Sequence, residues 1–275
     1  MNLSKIAVIL PMLLLAAGSV WAAALYGEAT IERGAMTVVR EGRSLKFDQL
    51  NQEIEINEED LIRVRPQSRV TLRTREMATI ALGSNAVFHV KPWRSKGKSG
   101  FLRALFGRFR ASVVALAGGE QFNVKTATAT IGVKGTEYRT HVTNRGGTLL
   151  IVGAATVGFQ GQQGPEVTVG ENFLSLIINI NPPTPPAPIP PQVEAEFGSD
   201  DLDAPAPNSR AGRDFPGEEG LIEAGIVTED ELNEGKGDFA PPVIGELFPF
   251  VPPLLNFDAN EASDAQRRAT VTPSF

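Results

Sequence analysis

Phe122-Asn-Val-Lys-Thr-Ala-Thr-Ala-Thr-Ile-Gly-Val-Lys-Gly-Thr-Glu-Tyr138 contains two alternating runs and a kink. Phe122 and Val124, then Ile131 and Val133, are spaced two apart, so each pair lies on one face of a strand. Lys134 is then expected to face outward. Gly135 allows a positive φ or a bulge where a side chain would collide. Thr136 can bond its hydroxyl to nearby backbone before Tyr138 resumes the strand. Ile131, Val133, Lys134, Gly135, Thr136 and Tyr138 therefore read as a structural motif.

The same grammar extends in both directions. Upstream, short β segments fall at 36–40, 54–56, 61–65, 69–74, 79–82 and 87–90. Downstream they fall at 138–142, 149–152, 156–159, 167–169 and 173–178, with Asn144-Arg-Gly-Gly147 as a hairpin turn signal. Strands recurring about every ten residues without helical periodicity between them predict an all-β fold. The expected architecture is an antiparallel sandwich or barrel, or a β-solenoid.

Residues 91–119 interrupt that pattern. They hold Lys91, Arg94, Lys96, Lys98, Arg103, Arg108 and Arg110 with no acidic residue. Phe101, Leu102, Leu105, Phe106 and Phe109 recur at helical spacing, which predicts a short amphipathic helix or a plug at the end of the sheet. The seven cations are candidates for binding an anionic partner such as an envelope polymer or lipid head group.

The segment around 122–138 resembles the FecR domain family, chiefly through Ala129-Thr-Ile-Gly-Val-Lys-Gly135-Thr136-Glu-Tyr138. Asp60-Leu-Ile-Arg63 is similar to the family's Gly-Asp-x-Ile step, with Glu59 where glycine is usual. Arg69-Val-Thr-Leu72 and Ile80-Ala-Leu-Gly-Ser-Asn-Ala-Val-Phe88 resemble its next hairpin. Val152-Gly-Ala-Ala-Thr-Val157 departs from the acidic-glycine turn usually found there. The resemblance spans roughly 28–178 and implies a β-rich module in envelope signalling. Relatives of that kind join a cytoplasmic anti-sigma region, one membrane span and a periplasmic domain that contacts an outer-membrane receptor. Five residues precede the hydrophobic segment here, so the likeness is to the periplasmic domain, and anti-sigma activity is not implied.

Residues 1–24 have the parts of a signal peptide: Lys5, an apolar run from Ile6 to Trp21 and an Ala-x-Ala end. The predicted location is periplasmic, with an uncleaved inner-membrane anchor through residues 6–25 as the alternative. Export disfavours a nucleic-acid partner. The absence of cysteine among 275 residues excludes disulfides, thiolate metal sites and a cysteine nucleophile. Two histidines, His89 and His141, make a multi-histidine zinc site improbable, and no metal or small-molecule cofactor is expected.

Charge divides the chain. Residues 181–275 hold 18 acidic and 5 basic residues, net −13, which leaves +7 on the first 180. The predicted organisation is a β domain over 25–180, a polyproline linker over 181–192 and an acidic, largely disordered tail over 193–275. That tail is expected to add few core contacts. Within it, Thr228 and Glu231 form a capping box for a brief helix, and the apolar patch at 243–257 reads as a docking peptide or a fold-back segment.

No residue set assembles into catalytic chemistry. Thr136 and His141 lie five apart on one strand and so on opposite faces. Glu53, Glu55, Glu58, Glu59 and Asp60 form a charge run rather than a catalytic pair. The expected function is a non-enzymatic binding, scaffolding or sensing module of the envelope that contacts an envelope protein or anionic polymer. The competing reading is an exported carbohydrate-active or other hydrolytic β protein, which would need two of Glu120, Glu137, Glu166 and Glu171 to converge.

Overall fold

The period-2 runs become strands that stack into two layers sharing one hydrophobic interior. The computed structural model describes residues 24–75, 78–91, 101–114, 122–198, 202–205 and 209–236. The first layer runs in the order β4 (Glu53–Asn57), β1 (Leu25–Arg33), β6 (Arg69–Thr74), β7 (Ala78–Leu82), β9 (Phe101–Val113), β12 (Thr136–Val142), β13 (Thr148–Ala154), β16 (Phe173–Ile177) and β17 (Ala187–Pro188). The second runs β3 (Arg43–Phe47), β2 (Met36–Arg40), β5 (Leu61–Val64), β8 (Val87–Val90), β9 again, β10 (Phe122–Lys125), β11 (Ala129–Val133), β14 (Thr156–Gly161) and β15 (Val167–Gly170). Neighbouring strands pair antiparallel except β9 and β10, which are parallel. Because strand order rises along each layer almost in step with the sequence, this open sandwich also advances like a solenoid. It does not close into a barrel.

β9 belongs to both layers. Its residues 102–106 pair with β8, and residues 107–113 pair with β12. The bend falls at Gly107, whose φ is +104° and where a Cβ would lie 2.7 Å from the Ala86 Cα. This strand replaces the expected amphipathic helix. Leu102 and Ala104 point into the interior before the bend, and Phe109, Ala111 and Val113 do so after it. The change of phase at Gly107 converts a spacing of two into an imitation of three-to-four.

One cluster fills the interior with inward side chains of both layers, among them Ile31, Leu72, Ile80 and Val152 from the first and Val38, Ile62, Ile131 and Phe159 from the second. Phe88 meets Phe109 edge-to-face at 5.0 Å between ring centroids, and Phe109 meets Tyr138 at 6.1 Å. The predicted hairpin at 144–147 joins β12 and β13, with Gly146 at φ +86°.

Past residue 181 the described residues carry secondary structure and pack against the sheet. Thr184 and β17 bond to the edge strand β16, so the polyproline segment borders the sheet instead of spanning open space. Pro191 opens α1 (Pro191–Glu196), where its missing N–H costs nothing. A 3-10 turn (Arg210–Arg213), α2 (Glu218–Glu223) and α3 (Glu229–Lys236) follow. The Thr228–Glu231 capping box forms in both directions, at 3.2 and 2.7 Å. This arm supplies Val193, Phe197, Leu202, Phe215, Leu221, Val227 and Leu232 to a second cluster with Leu149, Ile151, Leu174, Leu176 and Ile178 of the sheet. Its apolar residues are irregularly spaced among acids, so periodicity does not reveal them. The patch at 243–257 lies outside the described residues.

Candidate functional site

Sharp corners between layers account for the motif. Val133 ends β11 in the second layer and Thr136 starts β12 in the first, so Lys134 and Gly135 make the whole crossing. Lys134 is exposed and Gly135 sits at φ +147°, a conformation that disfavours any side chain. The Thr136 hydroxyl donates to the Ala154 carbonyl and ties the corner to β13. Ile131, Val133 and Tyr138 are fully buried, and burial raises the Tyr138 hydroxyl pKa.

The Asp60 step is a second corner. Its carboxylate accepts from the Asn57 amide at 2.7 Å and from Arg40 Nε and Nη2 at 2.9 and 2.7 Å. Arg40 also donates to the Glu55 carbonyl, and its bond to Asp60 outweighs desolvation to raise its pKa. Glu59 beside it has φ +66°, the left-handed conformation for which glycine is the usual solution.

The bend in β9 also divides the basic stretch. Lys91 reaches Glu59 at 3.1 Å on the second layer, next to His89, whose Nε2 lies 3.0 Å from the same carboxylate. Burial, helped by the Lys91 charge and opposed by Glu59, draws His89 down to about 4. Arg103 faces His89 across the strands, its pKa lowered by burial. Arg94, Lys96 and Lys98 lie outside the described residues. Arg108 and Arg110 emerge on the outer face of the first layer.

There they meet the outward side chains of β12. Arg108 is paired in register with His141, Arg110 with Arg139, and Ser112 with Glu137. Like charges opposite one another are destabilising unless anions reach them. Glu137 binds Arg110 at 2.7 Å. The other two arginines are met by the arm. Arg139 forms a two-point pair with Glu194 at 2.7 and 3.3 Å and donates to the Phe197 carbonyl at 2.5 Å. Arg108 donates to the Glu196 carbonyl at 2.9 Å. Two guanidinium groups thus satisfy the carbonyl end of α1, where positive charge is favoured.

Phe197 itself is fully buried between them, its ring 5.2 Å from the Arg108 Cζ and 5.7 Å from that of Arg139. His141 packs edge-on against Phe197 and Phe215, both at 6.3 Å. It is fully buried and donates through Nε2 to the Asp214 carbonyl at 3.2 Å, while Nδ1 has no partner among the described residues. Burial first, then the Arg108 charge, draws its pKa down to about 3 against the Asp214 bond, so the imidazole is neutral.

Thr136 shares the inward parity of Tyr138, whereas His141 faces the arm, so the two stand on opposite sides of β12 as predicted. Among the described residues no group of three His, Asp or Glu side chains is placed to hold a metal ion. Arg108, Arg139 and His141 thus form one patch on the outer face of the first layer, covered by Glu194, Phe197 and Phe215. Sequence reasoning missed Arg139 and the whole arm side. The available signal was apolar continuity, since Leu149-Leu-Ile-Val152 and Phe173-Leu-Ser-Leu-Ile-Ile178 lack the alternation of a strand with one wet face.

Comparison with known proteins agrees with the family resemblance. Residues 60–157, about a third of the chain, match the family model described as FecR protein. That match starts at Asp60 and ends just past β13, so it encloses the bend of β9 and the Lys134–Gly135 corner. Two crystal structures of a candidate anti-sigma factor from Parabacteroides distasonis are similar at 14% identity, with TM-scores of 0.41 and 0.40. The likeness covers 50% of this chain and 63% of that one, so the chain spans less than two thirds of that protein. No curated protein matches. Among the described residues no helix is long and apolar enough to cross a membrane.

Proposed function

We propose that this chain is an exported, non-enzymatic FecR-type module that acts at the cell envelope by binding another protein. The observation that carries the reading is the use made of the outer face of the first layer. Its conspicuous polar groups, Arg108 and Arg139, hold a peptide through a carboxylate, two backbone carbonyls and an aromatic ring. That is recognition chemistry and offers no nucleophile or proton relay. Export to the periplasm is read from the 1–24 segment, of which residues 1–23 lie outside the described residues.

The test is capture by the tagged full chain from envelope extract, with the cellular fraction recorded. Recovery of one envelope protein in stoichiometric amount supports the reading. Capture of polysaccharide or anionic lipid alone, or recovery of the chain from the cytoplasm, overturns it.

A further inference from the structure

The arm is an added layer. Among the described residues the main interior cluster contains none beyond Ile177, so no described residue of the arm belongs to it. The second cluster divides cleanly between five residues of β13, β16 and the turn after it and seven of the arm. Next to that apolar strip stand Arg108 and Arg139, which pair in register with His141 and Arg110. The anion that reaches Arg139 comes from α1. Beneath the arm lies the fully buried His141, whose Nδ1 has no partner among the described residues. An apolar strip, a two-arginine clamp and an aromatic slot together match one kind of ligand: an acidic peptide with a phenylalanine anchor.

We infer that this face is a peptide-docking groove for segments carrying a carboxylate three residues ahead of a phenylalanine, the spacing of Glu194 and Phe197. Residues 191–198 are its resident ligand in cis, and an acidic, phenylalanine-bearing segment of a partner protein displaces them. Glu194 takes the Arg139 fork, Phe197 fills the slot between the guanidinium groups, and the carbonyls of Glu196 and Phe197 take the remaining donors. Tethering holds the resident segment at an effective concentration in the millimolar range, so the unmodified chain discriminates against weak competitors. The inference rests on the binding-module reading, yet it fails separately: the groove can take its peptide whatever the envelope capture yields.

The experiment uses the full chain and a fluorescein-labelled peptide copying residues 190–198, followed by anisotropy. Phe197→Ala in the full chain empties the slot and is expected to bind the peptide at least about tenfold tighter than the unmodified chain, in line with removal of a tethered competitor. Adding Arg139→Gln to that variant should cost about tenfold or more, and Glu194→Gln within the peptide several-fold, because both halves of the same charged pair are tested. Equal binding by the unmodified and Phe197→Ala chains overturns the proposal, as does indifference to Arg139→Gln. Amide exchange on the unmodified chain decides independently of whether the variants fold. Residues 191–198 should exchange faster than β12 and β13, as a separately opening unit does. Exchange of the arm at the rate of the sheet would make it an integral part of the fold and end the proposal.

Discussion

Replacing Gly107 by alanine places a methyl group 2.7 Å from the Ala86 Cα and 3.0 Å from its Cβ, in a backbone whose φ is +104°. Two costs follow. The left-handed conformation disfavours an L side chain by roughly 1–2 kcal/mol. The contact with Ala86 cannot relax by rotating a side chain, because its nearest atom is backbone, and overpacking of that kind costs typically about 1–3 kcal/mol. The sum is about 2–5 kcal/mol, a large part of the stability of an ordinary domain. Gly42→Ala is the matched control, with φ +75° and nothing within 4 Å of the added carbon, so it carries only the conformational cost.

Urea denaturation of the full chain, followed by circular dichroism, separates the two. With a slope of about 2 kcal/mol/M, Gly107→Ala should lower the midpoint by about 1–2.5 M and Gly42→Ala by about 0.5–1 M. Equal shifts would show that the bend tolerates a side chain. The account of β9 as one strand folded across two layers at Gly107 would then be wrong.

Asp60→Asn leaves Arg40 facing a neutral amide in a buried corner and should cost about 3 kcal/mol, read as a lower urea midpoint. Gly135→Val should cost more than about 1 kcal/mol, because φ +147° admits no branched side chain. Ala155→Gly should instead stabilise by about 0.5–1 kcal/mol, since Ala155 sits at φ +57° and the relief exceeds the entropy that glycine adds to the unfolded chain. For His141, the folded pKa of about 3 lies below the ordinary 6.5, so between these values the unfolded chain takes up a proton that the folded one refuses. Stability from the neutral imidazole is full above pH 6.5 and falls with acid towards pH 3, at up to about 1.4 kcal/mol per pH unit. Midpoints measured at pH 7 and pH 4.5 should differ less in His141→Gln than in the unmodified chain, and an equal drop would remove this account of His141.

The alternation of apolar residues was enough to establish the β class, the positions of most strands and the inward set that includes Ile131 and Val133. These depend on a period of two, which is local. The corner at Lys134-Gly135 and the capping box at Thr228 and Glu231 were legible for the same reason, since their chemistry spans a few consecutive residues. The glutamate in place of glycine at position 59 was likewise visible as a departure from pattern, and the structure places that residue in the left-handed conformation.

Three features were decided only in three dimensions. Gly107 shifts the phase of a strand, so Phe101 to Phe109 imitate a helix until the partners on each side of the bend are known. The same bend sends Arg103 and Arg108 to the outer faces of opposite layers, which no reading of a seven-charge run could separate. The arm between 187 and 236 carries acids and prolines in the proportions of a disordered tail. Its order comes from an apolar strip and two arginines on strands that lie 40 or more residues earlier in the chain for Arg108 and Arg139. Local composition records what a segment lacks by itself, whereas burial and charge pairing depend on what the rest of the chain brings to it.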